Sequence, residues 1–136
     1  MNRAFPGAVP EIPVDAMDAA VDYYRDCLGF EVDWRDDGSG ISGVSRDACR
    51  LFLTDAAFRA AHANAAPVVT WLNLESIDEV DALHAEWEAS EAIIVARPES
   101  KPWKLHEFTA ADRDGNLFRV FYDFSRDEDL ALDDDA

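Results

Sequence analysis

The chain repeats itself. VDAMDAAVDYY (residues 14–24) and LESIDEVDALH (residues 74–84) stand at equivalent places in its two halves. Each follows one strand candidate and precedes three more. Repetition over this length is an architectural signal, because a unit with one helix and four strands has a single helix to cover its sheet. The expectation is a pair of βαβββ units, each with its helix outside a curved sheet, leaving two concave faces free to meet around a cavity.

The local signals support that order. In the first half, AVPEIPV (Ala8–Val14) is the first strand candidate, and its prolines confine it to a sheet edge or an exchanged arm. The helix that follows has Asp15 or Asp18 to cap it, a buried stripe of Met17, Ala20, Val21, Tyr24 and Leu28, and Gly29 to end it. Phe30–Arg35, Ile41–Ser45 and Cys49–Thr54 read as strands, with a turn at Asp37-Gly38. Residues 55–66 are an Ala-rich connector with room for a short helix. In the second half, Val68–Leu74 is a strand. Ser76 and Glu79 form a capping box before a helix whose stripe is Ile77, Val80, His84 and Trp87. Ala92–Ala96 is a strand, Arg97–Lys104 a Pro/Lys-rich loop, and Leu105–Ala111 with Asn116–Tyr122 a hairpin about Asp114-Gly115. The resulting organisation is a first module at 1–54, the connector at 55–66, a second module at 67–124 and an acidic, disordered tail at 125–136.

Charge excludes whole classes of partner. The 136 residues carry 29 acids and 12 bases, a formal net charge of −17. Phosphate backbones and anionic membrane surfaces are repelled, so neither nucleic acid nor a membrane is an expected partner. Six acids against one base lie in 125–136; the rest of the excess would draw a cationic small molecule. Hydrophobic residues make up 49%, enough for a packed interior. No stretch approaches the ~20 apolar residues of a membrane helix, and the first ten residues lack a secretory pattern. Cys27 and Cys49 have neither CxxC nor zinc-ribbon spacing and read as reduced thiols, so a cytoplasmic location is expected. His62, His84 and His106 form no HxH or HxxxH pair, and DRDGN lacks the later ligands of a calcium loop, so it reads as a turn.

The run KPWKLHEFTAADRDGNLFRVF (residues 101–121) resembles the PW, EF and DGN signature of the bleomycin-resistance proteins. AVPEIPV with AVDYYRDCLGFEVDW, CRLFLTD and VTWLNL…LHAEW resemble other stretches of the same proteins and of the wider vicinal-oxygen-chelate superfamily. The resemblance covers residues 8–124. It implies the α+β glyoxalase/bleomycin-resistance fold: paired βαβββ repeats forming curved mixed sheets around a cavity, helices outside. Enzymes of that superfamily generally hold a divalent metal on His, Gln or Glu at four inward-facing strand positions. By motif those positions are Val9, Phe52, Val69 and Arg119 here, and neither these nor their neighbours supply a metal donor set. The resemblance therefore implies a binding protein with no metal and no other cofactor, and no catalytic residues are assigned.

Strand alternation from those positions turns Glu11, Arg50, Phe52, Thr54, Trp71, Asn73, Leu117, Arg119 and Phe121 to the inner faces. Val14, Leu51, Leu53, Leu72, Leu74, Val120 and Tyr122 fall under the helices. The inner set is apolar and aromatic with a few polar groups, the composition of a small-molecule pocket. The resemblance implies a homodimer with an exchanged first strand hooked at Pro10, and ligand crevices at the interface. It makes Trp103 and Trp71 stacking platforms for a planar drug, with Glu107 in the HEF part of the motif. The candidate ligand residues are thus Trp103, Trp71, Phe52, Asn73, Arg119, Glu11, Arg50, Phe121 and Glu107. Lys101 and Lys104 flank Trp103, and Arg50 and Arg119 suit a carboxylate or phosphate. The alternatives are a metal-independent lyase or isomerase, with Glu11, Glu107 and His106 as acid–base candidates, and a metal-dependent glyoxalase- or dioxygenase-type enzyme, which the four ligand positions oppose.

Overall fold

The computed structural model describes residues 7–60, 66–125 and 127. Along them run β1 (Glu11–Pro13), α1 (Met17–Asp26), β2 (Glu31–Asp36), β3 (Ile41–Arg46) and β4 (Cys49–Thr54), then α2 (Ala56–Arg59). The pattern returns as β5 (Val69–Asn73), α3 (Ile77–Ala89), β6 (Ile93–Ser100), β7 (Leu105–Ala111) and β8 (Leu117–Asp123). Two units result, Met1–Ala66 and Pro67–Ala136. Each has one four-stranded mixed sheet, in the orders β1-β4-β3-β2 and β5-β8-β7-β6. In both, the first strand runs parallel to the last and the other pairings are antiparallel. The α+β fold of paired βαβββ repeats expected from the sequence is the fold observed. His62 and nearly all of the acidic tail lie outside the described residues. No helix among the described residues is long and apolar enough to cross a membrane.

In the first unit, α1 lies on β2, β3 and β4. Ala20, Val21, Tyr24 and Leu28 are buried there with Ile12, Val14, Val44, Leu51 and Leu53 from the strands. The expected helix stripe is this set, with Met17 only half-buried at its start. The capping expectation fails: the N-cap is Ala16, with no side-chain hydrogen bond. Asp15 falls one residue too early, and Asp18, inside the first turn, pairs with Arg35 at 2.6 Å instead. At the other end Gly29 turns the chain away at φ 78°, and Arg46 donates to the carbonyl of Leu28 at 2.8 Å. The turn expected at Asp37-Gly38 runs on to Gly40, which holds the positive φ of 81°. The connector contains α2, capped by Asp55, whose carboxylate accepts from the Phe58 amide at 3.1 Å.

In the second unit, α3 lies on β6, β7 and β8. Trp87 is the centre of its core, edge-on to Phe108 and Phe118 at 5.7 and 6.4 Å between ring centroids. Ser76 Oγ accepts from the Glu79 amide at 3.1 Å, but the Glu79 carboxylate in return accepts from the amide of Glu75, at 2.9 Å. The box is therefore closed one residue upstream of its usual partner. β6 continues through Ser100, where a loop from Arg97 was expected. Pro98 is tolerated because β6 is the sheet edge, where a missing N–H breaks no ladder on its outer side. Register shifts between Ile94 and Ala96 and between Ala96 and Glu99 absorb the irregularity.

The β7–β8 turn holds itself together. The Asp112 carboxylate accepts the amides of Asp114 and Asn116 at 2.8 and 2.9 Å and the Asn116 side-chain amide at 2.8 Å. The Asn116 side-chain oxygen then takes the amide of Val68, at 2.9 Å, just ahead of β5. DRDGN is thus a turn, and its first carboxylate is consumed by N–H groups.

Candidate functional site

Each sheet has one face under its helix and one opposite. In the second unit the opposite face is set by the β5–β8–β7 register. Trp71 pairs with Arg119 and Asn73 with Phe121, while Arg119 pairs with Thr109 and Phe121 with Glu107. These residues share a face because side chains two apart on a strand point the same way. Trp71 is 49% exposed and Val69 51%, high values for large apolar side chains. Trp71 meets Phe121 edge-on at 5.5 Å. The Arg119 guanidinium carbon lies over the Trp71 ring, 5.4 Å from its centroid. Glu107 is buried, only 5% exposed.

Trp103 reaches this group from the turn between β6 and β7. Its indole Nε1–H donates to Glu107 Oε2 at 3.4 Å, while 59% of the residue stays exposed. Lys101 Nζ lies 5.9 Å from the centre of that ring and pairs with Glu99 at 2.9 Å. The structure therefore brings Trp71, Asn73, Trp103, Glu107, Arg119 and Phe121 together in one unit.

Glu11, Arg50 and Phe52 belong to the first unit, on the sheet face opposite α1. Glu11 pairs with Phe52 across β1 and β4, and Arg50 lies over the Phe52 ring at 5.9 Å. Thr54, expected on the same face, is fully buried. Its carbonyl accepts from Arg59, which also reaches the carbonyl of Val14 at 3.4 Å.

One residue of this face escapes simple alternation. Trp34 would share the helix side with Phe30 and Val32 if β2 were regular. A register shift between Val32 and Trp34 sets Val32 against Val44 and Trp34 against Gly43. An extra residue of this kind reverses the phase of a strand. Trp34 consequently lies across Gly43 and meets Phe52 edge-on at 5.4 Å. The signal available in the sequence was Gly43, a strand glycine, which commonly marks a bulge or a close approach.

His106 lies apart from the face that holds Glu107. Its Nδ1 is 2.9 Å from Ser100 Oγ and its Nε2 is 2.8 Å from Asp81 Oδ1 on α3. It sits on the helix side of β7, opposite to Glu107, and ties that strand to α3. The divalent metal of the superfamily's enzymes does not fit the residues present. Phe52 and Val69 have no donor atom, and Arg119 is a cation. Among the described residues no three His, Cys, Asp or Glu side chains gather in a set that could hold a metal ion.

Comparison with known proteins agrees with this fold. The family described as the Glyoxalase/Bleomycin resistance protein/Dioxygenase superfamily matches residues 8–120. No curated protein matches the sequence. Among solved structures, a glyoxalase/bleomycin resistance protein/dioxygenase from Nocardioides is similar at 18% identity and a TM-score of 0.72, over 89% of this chain and 85% of that one. TioX from Micromonospora sp. ML1 is similar at 17% identity and a TM-score of 0.73, over 87% of this chain and 99% of that one. A lactoylglutathione lyase from Agrobacterium tumefaciens is similar at 22% identity and a TM-score of 0.68, over 86% of this chain and 94% of that one. With the family matched over nearly all of its described residues and the repeated βαβββ architecture in place, the chain belongs to the Glyoxalase/Bleomycin resistance protein/Dioxygenase superfamily.

Proposed function

We propose that this protein is a metal-free small-molecule-binding protein of the bleomycin-resistance type. It sequesters a bleomycin-type antibiotic or a similar planar or amphipathic ligand and carries out no chemistry on it. The observation that carries this reading is the sheet face opposite α3. There Trp71, half-exposed, lies against Phe121 and under Arg119, while Trp103 stands on its loop beside them, tethered to Glu107. A half-exposed aromatic pair beside a buried carboxylate is a platform for a flat ring with polar substituents. The donor chemistry at Phe52, Val69 and Arg119 supports a site without metal. On this face Trp103 and Trp71 are the stacking groups, with Asn73, Phe121, Arg119 and Glu107 completing the contacts; Phe52, Glu11 and Arg50 are the candidate contacts on the first unit's own face.

The functional form is a homodimer with its crevices at the interface. In the single chain, β1 is a three-residue edge strand laid parallel on β4. A partner's β1 can occupy the same edge without new types of bond, which supports strand exchange. Sedimentation should give twice the chain mass; a monomer at ligand-binding concentrations would remove the interface crevice.

The direct test is a calorimetric titration with bleomycin, metal-stripped and then copper-loaded, with tryptophan fluorescence followed in parallel. The expected result is about one drug per subunit with a micromolar or tighter Kd. Trp71→Ala and Trp103→Ala should each weaken it roughly tenfold, the scale of one lost aromatic stack. A titration with no heat and no quenching would remove bleomycin as the ligand.

A further inference from the structure

In a chain with 29 acids and 12 bases, a cation without a carboxylate is unexpected. Several cations obey that expectation. Arg25 pairs with Asp22 and Asp26, Arg35 with Asp18 and Asp37, Arg97 with Glu88, and Lys101 with Glu99. Arg46 and Arg59 spend their N–H groups on backbone carbonyls instead. Arg119 does neither. Among the described residues it has no carboxylate within ion-pair distance, and its one specific contact is the Trp71 ring. Glu107 is close in register, diagonally across β7 and β8, yet its carboxylate accepts from Trp103. Arg50, in the first unit, repeats the arrangement: it lies over Phe52 and has no carboxylate partner among the described residues.

Lying over an aromatic ring leaves the donors of a guanidinium unspent. The group carries five N–H donors in a planar fork and cannot lose its charge. A ring beneath it restrains the side chain before any ligand arrives, which lowers the ordering cost of binding. The complement of such a fork is a carboxylate or a phosphate. Around it, Trp71, Phe121 and Val69 supply apolar surface for the rest of the molecule.

We infer that the ligand of the face opposite α3 is a planar molecule bearing an anionic oxygen group, with the anion on Arg119 and the ring against Trp71 and Phe121. The inference rests on the binding reading above and selects, within it, a planar anionic ligand over a drug with a cationic tail such as bleomycin. The negative group is oriented toward Arg119 and away from Glu107, so the face also fixes the direction in which the ligand lies.

A series of matched probes tests this: naphthalene-2-carboxylate, 2-naphthyl phosphate, neutral naphthalene-2-carboxamide and the cation 2-naphthylmethylammonium. Each is titrated into the full chain by calorimetry and tryptophan quenching. The expected result is that at least one anion binds tenfold or more tighter than the carboxamide, and the cation weakest. Arg119→Gln should erase that preference, bringing the anions to the affinity the carboxamide has in the same variant, and Arg119→Lys should restore part of it. The anion that loses more affinity in Arg119→Lys is the one held by the guanidinium fork, which distinguishes a carboxylate from a phosphate ligand. Equal affinities across the series, or a preference that survives Arg119→Gln, would overturn the anionic assignment and leave the binding reading standing. If no probe of any charge binds and bleomycin also fails, both fall together. Circular dichroism of each variant confirms that it is folded.

Discussion

Single residues carry two different kinds of information here. Gly43 is a steric requirement: a Cβ built on it would stand 2.4 Å from Trp34 Nε1 and 2.5 Å from Cε2. Gly43→Ala must therefore push the indole off the strand, at about 1–3 kcal/mol of stability. Denaturant unfolding should show that loss in the wild-type background and little of it in Trp34→Ala, where the obstructing ring is gone. An equal loss in both backgrounds would mean the clash lies elsewhere. Arg119, by contrast, is a chemical feature: its substitution removes a charge from the face and a guanidinium from the Trp71 ring. Sequence reasoning placed Arg119, Trp71 and Phe121 on one face by counting along two strands, and the strands keep strict alternation there. It did not find Trp34, because a single extra residue in β2 inverts the count.

At the scale of elements, the fold depends on a few polar joints as well as on its cores. Asn116 is fully buried and links the β7–β8 turn to the start of β5 through Asp112 and the Val68 amide. Asn116→Ala removes one bond to the buried Asp112 carboxylate and one to the half-buried Val68 amide, so it should cost about 1–3 kcal/mol. A urea titration measures this directly; a loss below about 0.5 kcal/mol would show that water replaces the side chain. The element boundaries illustrate how such joints hide from periodicity. Strands β4 and β7 run over the expected residues because turn signals flank them. β6 runs on past its expected end because its edge position makes Pro98 harmless. Helix α1 starts without a side-chain cap because its N-cap position falls on Ala16, while Asp18, already inside the first turn, pairs with Arg35, 17 residues away.

For the whole molecule the dominant quantity is a net charge of −17. Self-repulsion of that size opposes the compact state and is screened by salt, whose Debye length falls from roughly 30 Å at 0.01 M to about 3 Å at 1 M. The midpoint of thermal unfolding should rise by several degrees between those salt concentrations. A fall would mean that ion pairs such as Arg35–Asp18 outweigh the repulsion. The order of residues alone was enough for the repeat, the α+β class and the face assignments on regular strands. Hydrophobic spacing and turn chemistry are local properties, and two copies of one pattern reinforce each other. It was also enough to rule out the superfamily's usual metal donors, since side-chain chemistry at Phe52, Val69 and Arg119 needs no coordinates to judge. Which charges are paired was settled in three dimensions. Ion pairing depends on separation in space, and no spacing rule could show that His106 turns to Asp81, that Glu107 takes Trp103, and that Arg119 is left with an aromatic ring and, among the described residues, no carboxylate.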